Sequence, residues 1–159
     1  MILDSGERTE YPTGAVRDVK EGKGRCDLMP LDVVGELMSD KVIKLIYEFQ
    51  QDNDTNHLFE VLLLVADAWY CHKGMTITED ENISNMLLDV SIHFEEGAKK
   101  YGEYNWQKGI PVQSYIDSAV RHYLKVHRFD EDENHKRAFV WNMLCCIWTA
   151  KHKEELGVE

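Results

Sequence analysis

Residues 82–101 read NISNMLLDVSIHFEEGAKKY, and this stretch decides the fold class. Its apolar residues recur at spacings of three, four and seven; they are Ile83, Met86, Leu87, Val90, Phe94, Ala98 and Tyr101. That spacing follows the turn of an α-helix, so these side chains share one buried stripe. Residues 78–81 read TEDE, a capping-box pattern that predicts a helix start just before the stripe.

Similar helical spacing recurs along most of the remaining chain. It predicts one or two helices over residues 31–51, with Val33 and Leu37 on the inner side, and further helices at 58–69, 112–128 and 131–153. A loop is expected at 72–81. Because no alternating Val/Ile-rich run is bounded by turns, strands are expected to be few or absent. The sequence therefore predicts an all-α helical bundle of about five to six helices.

Residues 1–30 lack this periodicity and are rich in glycine and proline. We expect them to form an irregular N-terminal arm, with residues 31–159 as one all-α domain. Three basic residues of the arm, Arg17, Lys23 and Arg25, are interspersed with glycines, which let a backbone approach phosphates closely. The arm therefore carries a phosphate-binding type of motif, although the Walker pattern is missing. A disordered tail is the alternative.

Composition excludes several classes of function. The 159 residues, 43% of them hydrophobic, suffice for one domain with a core. The net charge of -11 argues against coating DNA or RNA, and no apolar run approaches the roughly 20 residues of a membrane-spanning helix. The N-terminus lacks a signal-peptide pattern, and the four cysteines show no CxxC pairing. We therefore expect a cytoplasmic protein with reduced thiols.

Residues 97–109 read GAKKYGEYNWQKG and combine charge, aromatic rings and an amide at one helix end. Its lysines offer positive charge, its aromatic rings a stacking face, and its asparagine a group that donates and accepts hydrogen bonds. The residues concerned are Lys99, Lys100, Tyr101, Asn105 and Trp106. A nucleotide needs all three properties. A plain helix C-terminus, with lysines near the last carbonyls and a glycine after them, explains the lysines and the glycine equally well.

Beside the apolar stripe, a polar row contains Asp89, His93, Glu96 and Lys100 at positions i, i+4, i+7 and i+11. Carboxylates in this position can turn inward and share a divalent cation with facing helices. A solvated flank, with Glu96 paired to Lys100, is the alternative.

The last predicted helix opens with the acidic residues 130–133, which suit the positive end of a helix dipole. His135 and Asn142 follow on one face. Asn142 is the only polar side chain between Ala138 and Trp148, and a buried amide without partners costs about 1–3 kcal/mol. It must therefore bond either a structural partner or a ligand.

The preceding helix carries Arg121 and His122 at the edge of its apolar stripe. Histidine is a common ligand of metal ions and can also contact a phosphate. For Arg121, a structural ion pair with Asp117 four residues earlier is the alternative.

Four sets of segments, in chain order, resemble the motifs of the dATP/dGTP diphosphohydrolase family, found chiefly in phages. They are GAVRD (14–18) with GKGRCDLMP (22–30), GAKKYG (97–102) with NWQKG (105–109), SAVRH (118–122), and ENH (133–135) with WN (141–142). This family resembles the MazG-like all-α nucleoside triphosphate pyrophosphohydrolases. The resemblance implies cleavage of dGTP or dATP to the monophosphate and pyrophosphate with Mg²⁺ or Mn²⁺. The chain departs from the MazG pattern because a plain EExxE followed by ExxD is absent, and residues 35–80 have no place in the motifs.

Under this resemblance, the candidate residues take the following hypothetical roles. The metal ions are held by Asp89, Glu96 and Glu133, helped by His122 or His135. Glu133, His122 and His135 are the expected catalytic residues. The expected substrate-binding residues are Arg17, Lys23, Arg25, Lys99, Lys100, Tyr101, Asn105, Trp106, Arg121 and Asn142. Among them, Tyr101 or Trp106 is expected to stack on the purine, and Asn105 to read its edge. The implied partners are a purine deoxynucleoside triphosphate and further copies of the chain, in a homodimer or tetramer.

Two other functions fit the sequence. A non-catalytic nucleotide-binding protein would keep its affinity after Glu133→Gln and release no product. A phage interaction protein, whose acidic bundle docks a host partner, would not respond to dGTP with metal. In the enzyme interpretation, the protein acts in the host cytoplasm, if it is phage-encoded, to control the nucleotide pool.

Overall fold

The computed structural model describes residues 6–71 and 78–159. Within these ranges, two short strands precede seven helices. The strands are β1 (Arg8–Glu10) and β2 (Val16–Asp18), and the helices are α1 (Leu31–Met38), α2 (Lys41–Asp52), α3 (Asn56–Tyr70), α4 (Glu79–Tyr101), α5 (Val112–His127), α6 (His135–Lys151) and α7 (Lys153–Leu156). Short 3-10 helices, Cys26–Leu28 and Asn105–Lys108, precede α1 and α5. The predicted all-α class is confirmed. Most of the loop predicted at 72–81 lies outside the described residues.

Polar side chains fix where α4 and α6 begin. The Thr78 hydroxyl accepts the N–H of Glu81 at 3.2 Å, as the capping pattern predicts. The Asn134 amide oxygen accepts the N–H of Arg137 at 3.0 Å. The acidic residues 130–133 therefore lie before α6 and not in its first turn, so the predicted start at residue 131 is wrong.

The N-terminal arm contains more regular structure than the sequence suggests. Strands β1 and β2 pair antiparallel, with Thr9 opposite Arg17. In the turn that joins them, the N–H of Tyr11 donates to the carbonyl of Ala15, and the N–H of Gly14 donates back to Tyr11, both at 2.9 Å. Gly14 has φ +87°, a conformation that favours glycine. The arm begins as a small hairpin.

Helices α5 and α6 form the centre of the bundle. Tyr115 and Ile116 of α5 and Phe139 and Met143 of α6 have at most 1% of their surface exposed. α4 packs against α3 and α6, and α2 packs between α1 and α3. No helix among the described residues is long and apolar enough to cross a membrane.

Three apolar residues predicted to face inward are exposed. Val33 and Leu37 on α1 have exposed fractions of 57% and 85%, and Leu87 on α4 has 43%. Helix α1 packs chiefly on α2, and the side that carries Val33 and Leu37 is exposed among the described residues. A helical pattern identifies residues that share a face, but not whether another element covers that face.

Candidate functional site

The arm, α4, α5 and α6 surround a cavity of about 870 Å³, a volume typical of small-molecule sites. Six basic side chains line it: Arg17, Lys20, Lys23, Arg121, Lys125 and Arg128. Among the described residues, the acidic side chains in the lining are Asp18 and Glu133. Because the whole chain carries a net charge of -11, this concentration of positive charge favours an anionic ligand.

Asn105 fixes strand β2 to the turn after α4. Its amide oxygen accepts the N–H of Val16 at 2.9 Å, and its amide nitrogen donates to the carbonyl of the same residue at 2.8 Å. Asn105 is 6% exposed. Its amide is thus engaged by the protein backbone, and Asn105 is also part of the cavity lining, so its predicted reading of a purine edge stays a prediction.

Asp18 joins the end of β2 to the end of α4. Its two carboxylate oxygens lie 3.0 Å from the Arg8 guanidinium and 3.0 Å from the Lys100 ammonium. Both cations also lie 5.1 Å from the ring centroid of Tyr101, which lines the cavity. Lys100 and Tyr101, predicted to bind substrate, therefore also hold the arm in place.

Arg17 lies in the cavity wall and forms a hydrogen bond with Asn142. Its guanidinium donates to the Asn142 amide oxygen and the Ser118 hydroxyl, both at 3.2 Å, and to the carbonyl of Ser114 at 3.3 Å. It also lies 5.7 Å from the centroid of the Trp141 indole. The Asn142 amide nitrogen donates to the carbonyl four residues earlier in α6. Asn142 therefore has a structural partner, and that partner is itself a cation of the cavity.

Asp117 and Arg121 on α5 hold the second part of the arm. The fully buried Asp117 accepts the N–H of Cys26 and an N–H of Arg121, both at 2.7 Å. Arg121 also donates to the carbonyls of Lys23 at 3.3 Å and Gly24 at 2.7 Å. The structural pairing left open for Arg121 is thus present, and its guanidinium also lines the cavity.

Several positive charges lie close to the ammonium group of Lys23. Burial lowers the pKa of Lys23, and Arg121, Arg17 and Lys100 lower it further, while Asp18 raises it. Like charges held this close disfavour the protonated ammonium. A polyanion bound in the cavity would remove that repulsion.

A group of potential metal ligands borders the cavity: His122 of α5 and Glu133 line it, and His135, the first residue of α6, lies beside them. The Nδ1 atoms of His122 and His135 are 2.9 Å apart, and His122 Nδ1 is 3.9 Å from a carboxylate oxygen of Glu133. One ligand atom from each of the three residues lies within 4.8 Å of the others. His135 Nε2 lies 2.6 Å from a carboxylate oxygen of Asp132, an arrangement that fixes the imidazole ring.

Burial favours the neutral form of two residues in this group, which suits metal binding by His122 but opposes it at Glu133. Burial, together with the neighbouring His135, lowers the pKa of His122 well below its usual value, so that its imidazole is neutral near pH 7. Burial raises the pKa of Glu133, since a charged carboxylate is poorly solvated there. A cation beside Glu133 would reverse that effect.

Two predicted metal ligands lie elsewhere. Asp89 accepts a hydrogen bond from the Tyr70 hydroxyl at 2.6 Å and from Arg137 at 2.7 Å. Glu96 is half-buried on α4. Neither belongs to a group of potential metal ligands among the described residues. The predicted set of Asp89, Glu96 and Glu133 is therefore not brought together, and two histidines lie beside Glu133 instead.

Four predicted substrate residues do not line the cavity: Lys100, which pairs with Asp18, and Arg25, Lys99 and Trp106. Arg25 forms an ion pair with Asp27 at 2.6 Å. Lys99 is exposed, 3.7 Å from Glu95. The indole of Trp106 packs edge-on against aromatic rings of α4 and α6. Ordinary structural contacts account for each of these side chains.

The lining also includes residues absent from the predicted set. Lys125 and Arg128 follow Arg121 at i+4 and i+7, so helical spacing could have indicated one basic face. His93 and Trp141 also line the cavity, with ring centroids 5.4 Å apart. The sequence placed His93 in a polar row but not in contact with substrate.

The structure is that of an all-α protein with a basic cavity beside a group of potential metal ligands. A family model described as dATP/dGTP diphosphohydrolase, N-terminal, matches residues 73–158, a little more than half of the chain. The chain belongs to the dATP/dGTP diphosphohydrolase family. The matched region contains α4, α5 and α6, the three helices around the cavity. Neither the curated proteins nor the solved structures contain a match to this chain.

Proposed function

We propose that the protein hydrolyses purine deoxynucleoside triphosphates, dGTP or dATP, to the monophosphate and pyrophosphate in a metal-dependent reaction. The observation that carries this proposal is the convergence of six basic side chains on one cavity, beside His122, Glu133 and His135. The family of the chain supplies the class of substrate. A triphosphate matches the charge of the cavity, and an ion at the three-residue group would complete the site.

The basic residues have a direct part in this reaction. Arg17, Lys23 and Arg121 surround the arm and α5 side of the cavity, and Lys125 and Arg128 extend the positive surface along α5. Their charges would bind the triphosphate and stabilise the negative charge that develops during phosphoryl transfer. Arg17 and Arg121 are already held by protein partners, so little reorganisation is needed when substrate binds.

The three-residue group fits a transition-metal ion better than Mg²⁺. Mg²⁺ prefers oxygen ligands, whereas two imidazoles and one carboxylate suit softer ions, so Mn²⁺ is the better of the two family candidates. When bound, such an ion lowers the pKa of a coordinated water and screens the phosphate charges. We assign the ligands to His122, Glu133 and His135, with Glu133 also placed to accept a proton from the attacking water.

The direct test compares turnover by matched variants. Purified protein is assayed with dGTP and dATP, each with Mn²⁺ and with Mg²⁺. Glu133→Gln should lower kcat by about a hundredfold or more. The same substitution at the exposed neighbour, Glu131→Gln, should leave it within about twofold of the wild type. Equal loss in both variants, or none in either, would contradict the assignment of Glu133.

A homo-oligomer is part of the same proposal. Four large apolar residues on α3 and α4 are substantially exposed, namely Phe59, Leu63, Leu88 and Ile92, with exposed fractions of 41–71%. Each helix carries its two exposed residues four positions apart, on one face, and exposed apolar surface can mark an interface between subunits. Sedimentation velocity should report a dimer or tetramer, and a monomer at micromolar concentration would contradict this part of the proposal.

A further inference from the structure

A glycine near the end of the longest described helix has no packing reason among the described residues. Gly97 lies four residues before the end of α4. A Cβ atom built on it would meet no atom of the described residues within 4 Å, apart from the backbone of its own helix and its chain neighbours. Within residues 6–71 and 78–159, no close approach of another element therefore requires a glycine. Glycine also stabilises a helix less than alanine does, so its presence points to a role outside helix formation.

Gly97 lies on the cavity side of α4, between two other residues that line the cavity. His93, Gly97 and Tyr101 follow one another at i, i+4 and i+8, so they share one face of the helix, and all three line the cavity. The absent side chain leaves a bare stretch of helix surface between two rings. Such a surface has room for a flat group to approach the backbone.

The ring at one end of this strip has hydrogen-bonding capacity that the described residues do not use. Among residues 6–71 and 78–159, none forms a hydrogen bond with either ring nitrogen of His93. Burial, together with the positive charge of Arg137, lowers the pKa of His93 to about 4. The imidazole is therefore neutral near pH 7, with one donor and one acceptor. Trp141 adds an indole from α6, at 5.4 Å between ring centroids.

We propose that His93, Gly97 and Tyr101 of α4, with Trp141 of α6, form the slot that receives the planar base of the nucleotide. This inference rests on the proposed function and extends it to the orientation of the substrate. The base lies along Gly97, and His93 forms a hydrogen bond with its edge. The triphosphate extends toward the basic residues of the arm and α5, and toward His122, Glu133 and His135. The slot replaces Asn105 and Trp106, whose side chains are engaged elsewhere, as the site of base recognition.

Binding measurements with two ligands distinguish the base slot from the phosphate site. Binding of dGTP and of inorganic tripolyphosphate is measured by calorimetry in EDTA, so that no hydrolysis is required. Gly97→Leu fills the slot and should weaken dGTP binding by about tenfold or more, while the Kd for tripolyphosphate stays within about twofold. The matched control is Glu95→Leu, which adds the same side chain to an exposed position of α4. It should change neither Kd by more than about twofold.

Gly97→Ala guards against a trivial loss of folding. Alanine favours the helix, so the Tm of the Gly97→Ala variant should be the same as that of the wild type or up to about 2–4 °C higher. Binding of dGTP should nevertheless weaken. His93→Phe keeps a ring but removes the hydrogen bonds. It should change the ratio of the Kd values for dGTP and dATP by about threefold or more.

These measurements distinguish a failure of the base slot from a failure of the proposed hydrolytic activity. Wild-type protein that binds dGTP but hydrolyses no nucleotide would overturn the proposed activity and leave the slot supported. Gly97→Leu with an unchanged Kd for dGTP would overturn the slot alone. Equal losses for dGTP and tripolyphosphate would also overturn it, because Gly97 would then border the phosphates. Wild-type protein that binds neither ligand in EDTA would overturn the slot, and a lack of turnover with both Mn²⁺ and Mg²⁺ as well would overturn both.

Discussion

The two hydrogen bonds between Asn105 and Val16 make a quantitative prediction. Replacing Asn105 with alanine leaves the N–H and the carbonyl of Val16 without their partners, at a residue that is itself only partly exposed. Each lost hydrogen bond costs about 1 kcal/mol, and more where the remaining group cannot reach water. We therefore expect Asn105→Ala to lower the free energy of unfolding by about 2–4 kcal/mol. For a chain of this size, that corresponds to a fall in Tm of roughly 5–15 °C.

The same substitution should also affect the cavity. Val16 precedes Arg17, so a loosened β2 allows the guanidinium to move from Asn142, and KM for dGTP should rise together with the loss of stability. Urea unfolding, followed by tryptophan fluorescence, measures the first effect, and steady-state kinetics measure the second. Lys108→Ala, an exposed residue of the same 3-10 helix, is the control and should cost less than about 0.5 kcal/mol.

One result would contradict a purely structural role for Asn105. If Asn105→Ala unfolds like the wild type but raises KM strongly, the amide contacts the substrate and not the arm. That outcome would restore the purine-reading role that the sequence suggested.

Three further perturbations test the fold and the site. The pKa of His93 is lowered from 6.5 to about 4 in the folded state. As pH falls, the unfolded state therefore becomes protonated at a higher pH than the folded state. The free energy of unfolding should therefore fall by about 2–3 kcal/mol as pH drops from 6.5 to 4. His93→Phe should remove this part of the pH dependence. If the variant shows the same pH dependence as the wild type, the burial of His93 is contradicted. Asp117→Ala leaves the N–H groups of Cys26 and Arg121 without their carboxylate and should cost about 2–4 kcal/mol in urea unfolding, where a loss below about 1 kcal/mol would contradict its role. Asp89→Asn should bind Mn²⁺ within about twofold of the wild type by calorimetry, whereas a tenfold loss would return Asp89 to the metal site.

The fold class could be predicted from the sequence because helical spacing depends on local residue order. The stripe on α4 was found in this way, and Met86 and Val90 are buried as predicted. The exposure of Leu87 and Leu37 was not predictable, because it depends on which elements pack beside each helix. The hairpin of the arm was also missed, since strands of three residues are too short to show alternation.

The candidate site was partly predictable for the same reason. Glu133 and His135 are close in sequence, and His122 lies on the preceding helix, so their candidacy followed from local patterns. The engagement of Asn105 with Val16 joins residues 89 positions apart, and no pattern in one sequence reveals such a pair. Titratable residues that share a helix face can still point to different partners, as Asp89 does toward Arg137.

The most direct test of the central claim is the identity of the products. Wild-type protein is incubated with dGTP and Mn²⁺, the reaction is stopped with EDTA, and nucleotides and phosphates are separated by ion-exchange chromatography. The proposed activity predicts dGMP and pyrophosphate in equal amounts, with no dGDP. Formation of dGDP and orthophosphate, or no turnover of dGTP and dATP with either Mn²⁺ or Mg²⁺, would contradict it.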